Sequence, residues 1–329
     1  MGYDSQKLTR VKISIITATL NRKEFIGAAI ESVLAQNYPD FEHWIIDGGS
    51  TDGTLAFLKQ YPQLKVLSEP DRGVYDAWNK GIERASGDVV GFLNTDDQYT
   101  PGTFCLVNEA LDRSSALVFS GGSEIYQRTG SGVDVEMHRY VDPQRYRLSV
   151  KNVTLGYPSI NARFFRRSVF EIIGVFNADY KLSADRELLL RAAMVDIPDC
   201  AREQLVYRYR WHAESLTMNS GNESLLAAFM EAILIAELYS GLPTTSPADR
   251  LTLLSWRREL LATAFMARAM RRPAQALDLA VNAVNDDPRW LLDLLRCGTL
   301  AVGRRMRTTF RKLLARTNIR NDRPTRRPF

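Results

Sequence analysis

The sequence predicts an α/β fold in which a mostly parallel sheet is flanked by helices and is followed by a C-terminal α-helical appendage. In the first hundred residues, short β-branched runs alternate with segments of helical periodicity, which is typical of parallel sheets. After His212, four segments have helical periodicity and few β-branched residues. The charge divides as well: residues 241–329 carry a net charge of +11, and the preceding 240 residues carry −6.

The predicted elements of the sheet follow one another in regular order. The expected strands are 11–18, 44–46, 65–67 and 89–93, and the expected helices are 24–36, 55–58 and 76–85. The pattern then becomes mixed, with strand-like pieces at 116–120 and 205–211 and a helix beginning near Asp185. Ligands of such sheets bind at the carboxyl ends of the strands, so residues that follow different strands should line one crevice.

The change of character after residue 214 predicts two domains. We interpret residues 1–214 as a catalytic domain and residues 215–329 as a basic helical region. The last helical stretch combines apolar residues with clustered arginines, as do helices that lie on anionic membrane surfaces. Packing of the same apolar face on the protein body is the alternative. The Arg- and Pro-rich end is expected to be disordered.

Cysteine content and hydropathy restrict the cellular location. Three widely spaced cysteines indicate neither a disulfide framework nor a zinc site, which favours a reducing cytoplasm. The N-terminus lacks the features of a signal peptide, and no run of about 18 apolar residues predicts a membrane span. We therefore expect a cytoplasmic protein that is peripheral on the inner face of the cytoplasmic membrane.

Two adjacent carboxylates, Asp96 and Asp97, follow the apolar run that ends at Leu93. Keeping two like charges ionised side by side is costly unless a cation or hydrogen-bond donors compensate them. Mg²⁺ is usually held by one or two carboxylates together with substrate phosphates. The stretch "NTDD" therefore suits a site for a metal ion and a diphosphate, and a capped loop is the alternative.

A third carboxylate, Asp47, ends the second predicted strand and begins the turn-rich sequence "DGGSTDGT". In this position it is able to accept hydrogen bonds from a base or a ribose. Gly48 and Gly49 would allow a ligand to approach the backbone closely. A tight turn without a ligand is the other interpretation.

Five motifs in this order resemble those of family 2 glycosyltransferases: "SIITATLNR", "IIDGGSTDGT", "SEPDRGVYDAWNKG", "SGDVVGFLNTDD" and "LSADRELLLR". The resemblance covers about residues 11–213, and the second and third motifs are most similar to those of bacterial enzymes that build exopolysaccharide, colanic acid and O-antigen. It implies the GT-A fold, whose sheet is Rossmann-like. It also implies transfer of a sugar, with inversion, from a nucleotide diphosphate donor to a saccharide or lipid-linked acceptor. We expect a UDP-sugar as donor and Mn²⁺ or Mg²⁺ on its diphosphate.

The resemblance also implies roles for residues on the nucleotide side. Asp47 corresponds to an aspartate that contacts the nucleoside, and Asn79 lies in a helix that supports the nucleotide wall. The other nucleotide-sugar residues carried over in this way are Thr17, Thr19, Asn21, Asp71, Arg72 and Asp96.

The resemblance assigns the metal to Asp97, joined by His212, which is similar to a histidine that some members place near the diphosphate. His212 as a structural residue is the alternative.

Asp185, in "SADREL", corresponds to the catalytic base, which takes the proton of the attacking acceptor hydroxyl. Glu187 is the rival for this role, but residues two apart on a helix point in different directions, so only one can face the crevice. An N-capping function for Asp185 is the alternative. Ile160 stands where relatives often carry a His, which leaves the acceptor side open.

Two other functions were weighed against sugar transfer. A metal-dependent nucleotidyltransferase would need a Gly-rich phosphate loop after the first strand, and "TATLNRKEF" has no glycine. A nucleotide-sugar-binding protein without catalysis would not need Asp185 together with the other carboxylates.

Overall fold

The structure is a computed structural model, and it describes residues 10–156, 158–212 and 223–269, with four single positions beyond them. The first half alternates as the sequence predicts. Its elements are β1 (Ile13–Thr19), α1 (Lys23–Leu34), β2 (Phe41–Asp47), α2 (Thr54–Leu58), β3 (Lys65–Ser68), α3 (Val74–Arg84) and β4 (Val89–Phe92).

The second half is more irregular and contributes the remaining strands. Its elements up to the last strand are β5 (Gln98–Tyr99), α4 (Thr103–Asp112), β6 (Val118–Arg128), β7 (Asp134–Tyr140), α5 (Val150–Leu155), β8 (Arg163–Arg166), α6 (Ser168–Ile173), α7 (Ala184–Met194) and β9 (Asp199–Trp211). Two long helices follow, α8 (Glu223–Gly241) and α9 (Pro247–Ala269). The predicted helices 273–284 and 288–295 and the basic tail lie outside the described residues.

The strands form one sheet in the order β3-β2-β1-β4-β8-β6-β9-β5, and β7 pairs with β6. Strands β3, β2, β1 and β4 are parallel to their neighbours. In the other half, β8 runs antiparallel to both β4 and β6, while β6 and β9 are parallel. The carboxyl ends of β1, β2 and β4 therefore meet at one edge, as in other α/β sheets that bind ligands there.

The sheet is covered by helices on apolar surfaces that the sequence pattern specifies. Ile13 and Ile15 of β1 lie in one buried cluster, and Ile26 and Ile30 of α1 lie in another. Helix α3 approaches β1 closely at Gly81, where an added Cβ would lie 2.3 Å from Cγ2 of Ile16. Glycine is required there because any larger side chain would move α3 off the sheet.

The chain divides into two compact units, the first ending at Leu253. Helix α8 therefore belongs to the same unit as the sheet, and the domain boundary at residue 214 stays a prediction. By length and composition α8 is apolar enough to cross a membrane, and one third of its apolar 18-residue stretch is buried inside the protein. The polar contacts of α8 with the rest of the unit are described below.

Candidate functional site

A cleft of about 590 Å³ opens at the carboxyl edge of the parallel strands. One wall, which we term the donor wall, contains Thr19, Asp71, Asp96 and Asp97. A second group of lining residues, termed the base wall, contains Ser159, Ile160, Asn161, Asp185 and Tyr209. The cleft thus brings together residues from both ends of the first 210 positions, as the strand-end argument predicts.

Asp97 is buried at the bottom of the donor wall and is held by three donors. Its Oδ1 accepts the Arg210 N–H at 2.8 Å, and its Oδ2 accepts from Asn94 Nδ2 and the Tyr207 hydroxyl, each at 2.9 Å. Burial, and then the neighbouring charge of Asp96, raise the pKa of Asp97 to about 8. A cation beside it would offset both effects, because an opposite charge favours the ionised form.

Asp96 pairs with a histidine at the far end of β9. Its Oδ2 lies 2.8 Å from Nε2 of His212, whose ring stacks on Phe25 with centroids 5.0 Å apart. His212 is not among the residues that line the cleft.

The carboxylates of Asp96 and Asp97 fit a divalent ion that takes its other ligands from water or from substrate phosphates. Within the described ranges, there is no group of three or more His, Cys, Asp or Glu side chains that could hold a metal ion by itself. Asp97 Oδ1 accepts one hydrogen bond and so has a second lone pair for a metal ion, Asp96 lines the same cleft, and His212 pairs with Asp96. One or two carboxylates plus substrate phosphates is the usual arrangement for Mg²⁺.

Of the residues predicted in the first loop, Thr19 lines the cleft, whereas Thr17 and Asn21 do not. The buried Thr19 hydroxyl has no partner among the described residues. The Thr17 hydroxyl is fully buried and lies 2.9 Å from Nε2 of His43. Asn21 has a positive φ of 53° and joins the two loops, because its N–H donates to Ser50 and its Oδ1 accepts from Thr51.

Asp47 is fully buried and organises the turn after β2. Its carboxylate accepts the N–H groups of Gly49 and Ser50 and the hydroxyl of Ser68, the last at 2.7 Å. It does not belong to the cleft lining. Its contact with a nucleoside therefore stays a prediction, and in this structure the carboxylate fixes the backbone next to the donor wall.

The motif around α3 places one of its three predicted residues in the cleft. Asp71 lines the cleft and accepts the Gly73 N–H at 2.8 Å. The Arg72 side chain is 68% exposed and pairs with Asp76 at 3.1 Å, away from the lining residues. Asn79 exchanges two hydrogen bonds with the backbone of Phe176, at 2.8 and 3.0 Å. Asn79 thus ties α3 to the segment that leads into α7.

Asp185 lies in the first turn of α7 and lines the base wall. Its Oδ1 accepts the Tyr75 hydroxyl at 3.1 Å and the Arg186 N–H at 2.8 Å. Burial raises the pKa of Asp185, and the Arg186 and Tyr75 donors act against this. A partly buried carboxylate of raised pKa in a cleft has the properties of a general base.

Glu187 faces the other side of α7, as helical geometry predicts. Its carboxylate accepts from Arg191 at 2.8 and 2.9 Å and from the Tyr239 hydroxyl of α8 at 2.5 Å. It is absent from the cleft lining.

The sequence interpretation missed the tyrosines of the site. Tyr207 and Tyr209 alternate with arginines along β9, and the Tyr209 hydroxyl lies 2.5 Å from the Ser159 hydroxyl on the base wall. The interpretation also missed the buried Arg163, which donates to the carbonyl of Ser159 at 3.1 Å and so anchors the same segment. The period-two pattern "YRYRW" was the available signal for the tyrosines.

Comparison with known proteins agrees with this architecture. Residues 14–174 match the family described as Glycosyl transferase family 2. An uncharacterized glycosyltransferase of Mycobacterium tuberculosis is 35% identical over 194 residues, which are 56% of this chain and 70% of the relative. A PGL/p-HBAD biosynthesis glycosyltransferase of Mycobacterium bovis is 31% identical over 188 residues, 54% of this chain and 68% of the relative.

Two solved structures show the same fold at low sequence identity. Residues 1–349 of Staphylococcus aureus TarS, in complex with UDP-GlcNAc, align with a TM-score of 0.61 at 18% identity, covering 85% of this chain and 81% of that one. The mannosyltransferase PcManGT of Pyrobaculum calidifontis, in complex with GDP-Man and Mn²⁺, aligns with a TM-score of 0.54 at 18% identity, covering 87% and 84%. The family match and the relatives above 30% identity show that the chain belongs to glycosyl transferase family 2, and the structural alignments show the GT-A fold.

Proposed function

We propose that this glycosyltransferase moves a sugar, with inversion, from a UDP-sugar to a hydroxyl of a saccharide or lipid-linked acceptor. The observation that carries the proposal is that one cleft is lined both by the pair Asp96 and Asp97 and by Asp185. The first pair suits the diphosphate of the donor. The third carboxylate is then free to serve the acceptor.

On the donor wall, Asp97 would hold Mn²⁺ or Mg²⁺, with Asp96 and His212 beside it. When bound, the ion supplies neutralisation of the charge that grows on the leaving diphosphate. Thr19 and Asp71 line the same wall and are placed to contact the nucleotide. We assign Thr17, Asn21, Asp47 and Asn79 to the shaping of this wall, because their polar groups are engaged within the protein.

On the base wall, Asp185 takes the proton of the acceptor hydroxyl. The hydroxyl oxygen forms a bond to the anomeric carbon while the bond from that carbon to the diphosphate oxygen breaks. Attack from the face opposite the leaving group inverts the configuration. A single base is sufficient for this displacement.

The acceptor belongs, in our proposal, to bacterial cell-surface polysaccharide synthesis on the inner face of the cytoplasmic membrane. The motif resemblance supports this, and so does the similarity to a Bacillus subtilis relative named as a putative teichuronic acid biosynthesis glycosyltransferase. The net charge of +11 from Gly241 onward would favour attachment to anionic lipid. Packing of the C-terminal helices on the protein body remains the alternative.

A panel of UDP-, GDP- and dTDP-sugars with Mn²⁺ tests the reaction, with release of the nucleotide diphosphate as the measurement. We expect release with a UDP-sugar, and its loss in Asp97→Ala and Asp185→Ala. Release at the wild-type rate from either variant would remove that residue from the mechanism.

Sedimentation with anionic liposomes tests the membrane proposal. The full chain should sediment, and a fragment ending at Ser246 should stay in the supernatant while retaining donor binding. Equal sedimentation of the two proteins would contradict attachment through the C-terminal region.

A further inference from the structure

Asp185 is held by only one of its two oxygens. Its Oδ1 receives both the Tyr75 hydroxyl and the Arg186 N–H. Its Oδ2 receives no hydrogen bond from the residues that the structure describes. A carboxylate fixed in this way has a defined orientation and one oxygen free to accept a proton.

The Tyr75 hydroxyl is itself fixed by the packing of its ring. Tyr75 is 7% exposed, and its ring centroid lies 5.6 Å from those of Trp78 and Phe176. Phe176 is in turn bound through its backbone to Asn79 on the same helix as Tyr75. The phenol oxygen therefore has little freedom to leave Asp185.

The phenol acts only as a donor at working pH. Burial, and then the charge of Asp185, raise the pKa of Tyr75 well above 10.0. The hydroxyl thus stays protonated and cannot compete with Asp185 for the acceptor proton. A donor to a carboxylate stabilises its ionised form, which is the form that a base needs.

We infer that Tyr75 is a positioning residue for the reaction, whose hydroxyl holds Asp185 through Oδ1 and leaves Oδ2 available to the acceptor hydroxyl. This inference rests on the proposed role of Asp185 as base. The other groups that act on this carboxylate are Arg186 beside it and Tyr209 from β9, and Glu231 of α8 acts on Tyr75.

Tyr75→Phe removes the donor and preserves the ring packing. We expect the pKa of Asp185 to rise by about 1, because the ionised carboxylate loses one of its hydrogen-bond donors. It is measurable by NMR of protein labelled with carboxyl-¹³C aspartate, with Asp185→Asn assigning the signal. We also expect kcat to fall about tenfold, the acid limb of its pH profile to move to higher pH, and the KM for the donor to stay unchanged. The assay uses the panel sugar that gives the fastest nucleotide release.

Tyr38→Phe is the matched control. It also removes a buried hydroxyl, one that donates to the Val11 carbonyl at 2.6 Å and has no contact with the cleft lining. We expect it to lower stability without moving the pH profile. If Tyr75→Phe changes only stability, as Tyr38→Phe does, or leaves the pKa of Asp185 unchanged, the inference is overturned.

A fluorinated tyrosine at position 75 keeps the fold if phenylalanine does not. Its phenol is a stronger donor, so the pKa of Asp185 should fall, and a pKa that stays at the wild-type value would contradict the inference. The NMR measurement does not depend on turnover. If the pKa of Asp185 shifts but Asp185→Asn keeps full activity, Asp185 is not the base, although Tyr75 does act on its carboxylate. If the pKa does not shift and Asp185→Asn is inactive, the role of Tyr75 is rejected and that of Asp185 is retained.

Discussion

The donor wall and the base wall of the cleft are built from different parts of the sequence and by different contacts. On the donor wall, Thr19, Asp96 and Asp97 end β1 or follow β4 within a few residues, so the sheet itself places them. On the base wall, the segment before α7 is held by α8, about fifty positions later. Glu231 accepts the N–H of Lys181 at 2.8 Å and that of Leu182 at 2.9 Å. The residues that we propose for the donor are thus placed by strand ends, and the proposed base is placed by long-range contacts.

Substitution of one carboxylate on each wall should separate the two functions. Asp185→Asn should lower kcat about 10³-fold and leave the Kd for a UDP-sugar with Mn²⁺ unchanged, because in the proposed mechanism Asp185 acts on the acceptor hydroxyl. Asp97→Asn should weaken that binding at least about tenfold, and EDTA should weaken it in the wild type but not further in Asp97→Asn. Initial rates and titration calorimetry measure these effects. Equal loss of donor affinity in both variants would show that the walls do not act separately.

A substitution on α8 should affect the base wall alone. Glu231→Ala leaves two backbone N–H groups without their acceptor, which should cost about 1–3 kcal/mol of unfolding free energy. The segment carrying Asp185 then loosens, so kcat should fall about tenfold at unchanged donor Kd. Urea unfolding and initial rates provide the test.

Leu234→Ala, at a position that is 57% exposed on the same helix, is the control. We expect its stability to stay within about 0.5 kcal/mol of wild type. If the two variants behave alike, α8 contributes general stability and no placement of the base.

A smaller effect, on the pH dependence of stability, is expected from His43, which lies fully buried next to Thr17 behind the donor wall. Burial lowers the pKa of His43 from 6.5 to about 3. As pH falls below about 6.5, the unfolded state binds a proton at His43 that the folded state rejects, so His43 should lower the unfolding free energy by up to about 1.4 kcal/mol per pH unit relative to His43→Gln. The raised pKa of Asp97 acts in the opposite sense, equally in both proteins. Urea unfolding at pH 7, 6 and 5 measures the slope.

His43→Gln should reduce that slope, because the variant has no group to protonate at this position. Glu42 does not interfere in this pH range. Burial opposes its ionisation, but bonds from Lys65, Ser14 and Ser86 lower its pKa to about 2, so its contribution is lost only in more acidic solution. An identical slope in His43→Gln would contradict the assignment.

The same contrast explains what could be read from the sequence. The strands β1 to β4 and the pair Asp96 and Asp97 follow from local patterns, because apolar runs and strand-end carboxylates are adjacent in the chain. The pairing of Asp96 with His212 spans 116 positions and was not predicted, because the family resemblance placed His212 only near the diphosphate. Strand β8 has four residues, RFFR, and is recognisable only from its partners β4 and β6.

The support of Asp185 was not predictable from local patterns. Tyr75 looks like an ordinary core aromatic of α3, and Glu231 like a surface charge on an apolar helix. Their functions depend on contacts with residues 110 and about fifty positions away. The start of α3 at Val74 also differed from the predicted Asp76, because Gly73, with φ of 120°, allows the chain to turn into the helix earlier.

The bonds from α8 to the base wall limit how this enzyme can be shortened. Tyr239 donates to Glu187, and Ser183 donates to the carbonyl of Ala228, so α8 contacts the start of α7 from its N-terminal half and from its C-terminal end. A truncation before Glu223 would remove all of these contacts and keep every residue of the donor wall. If the proposed roles hold, the shortened protein would bind the nucleotide-sugar without transferring it, which would make it a donor-binding reagent.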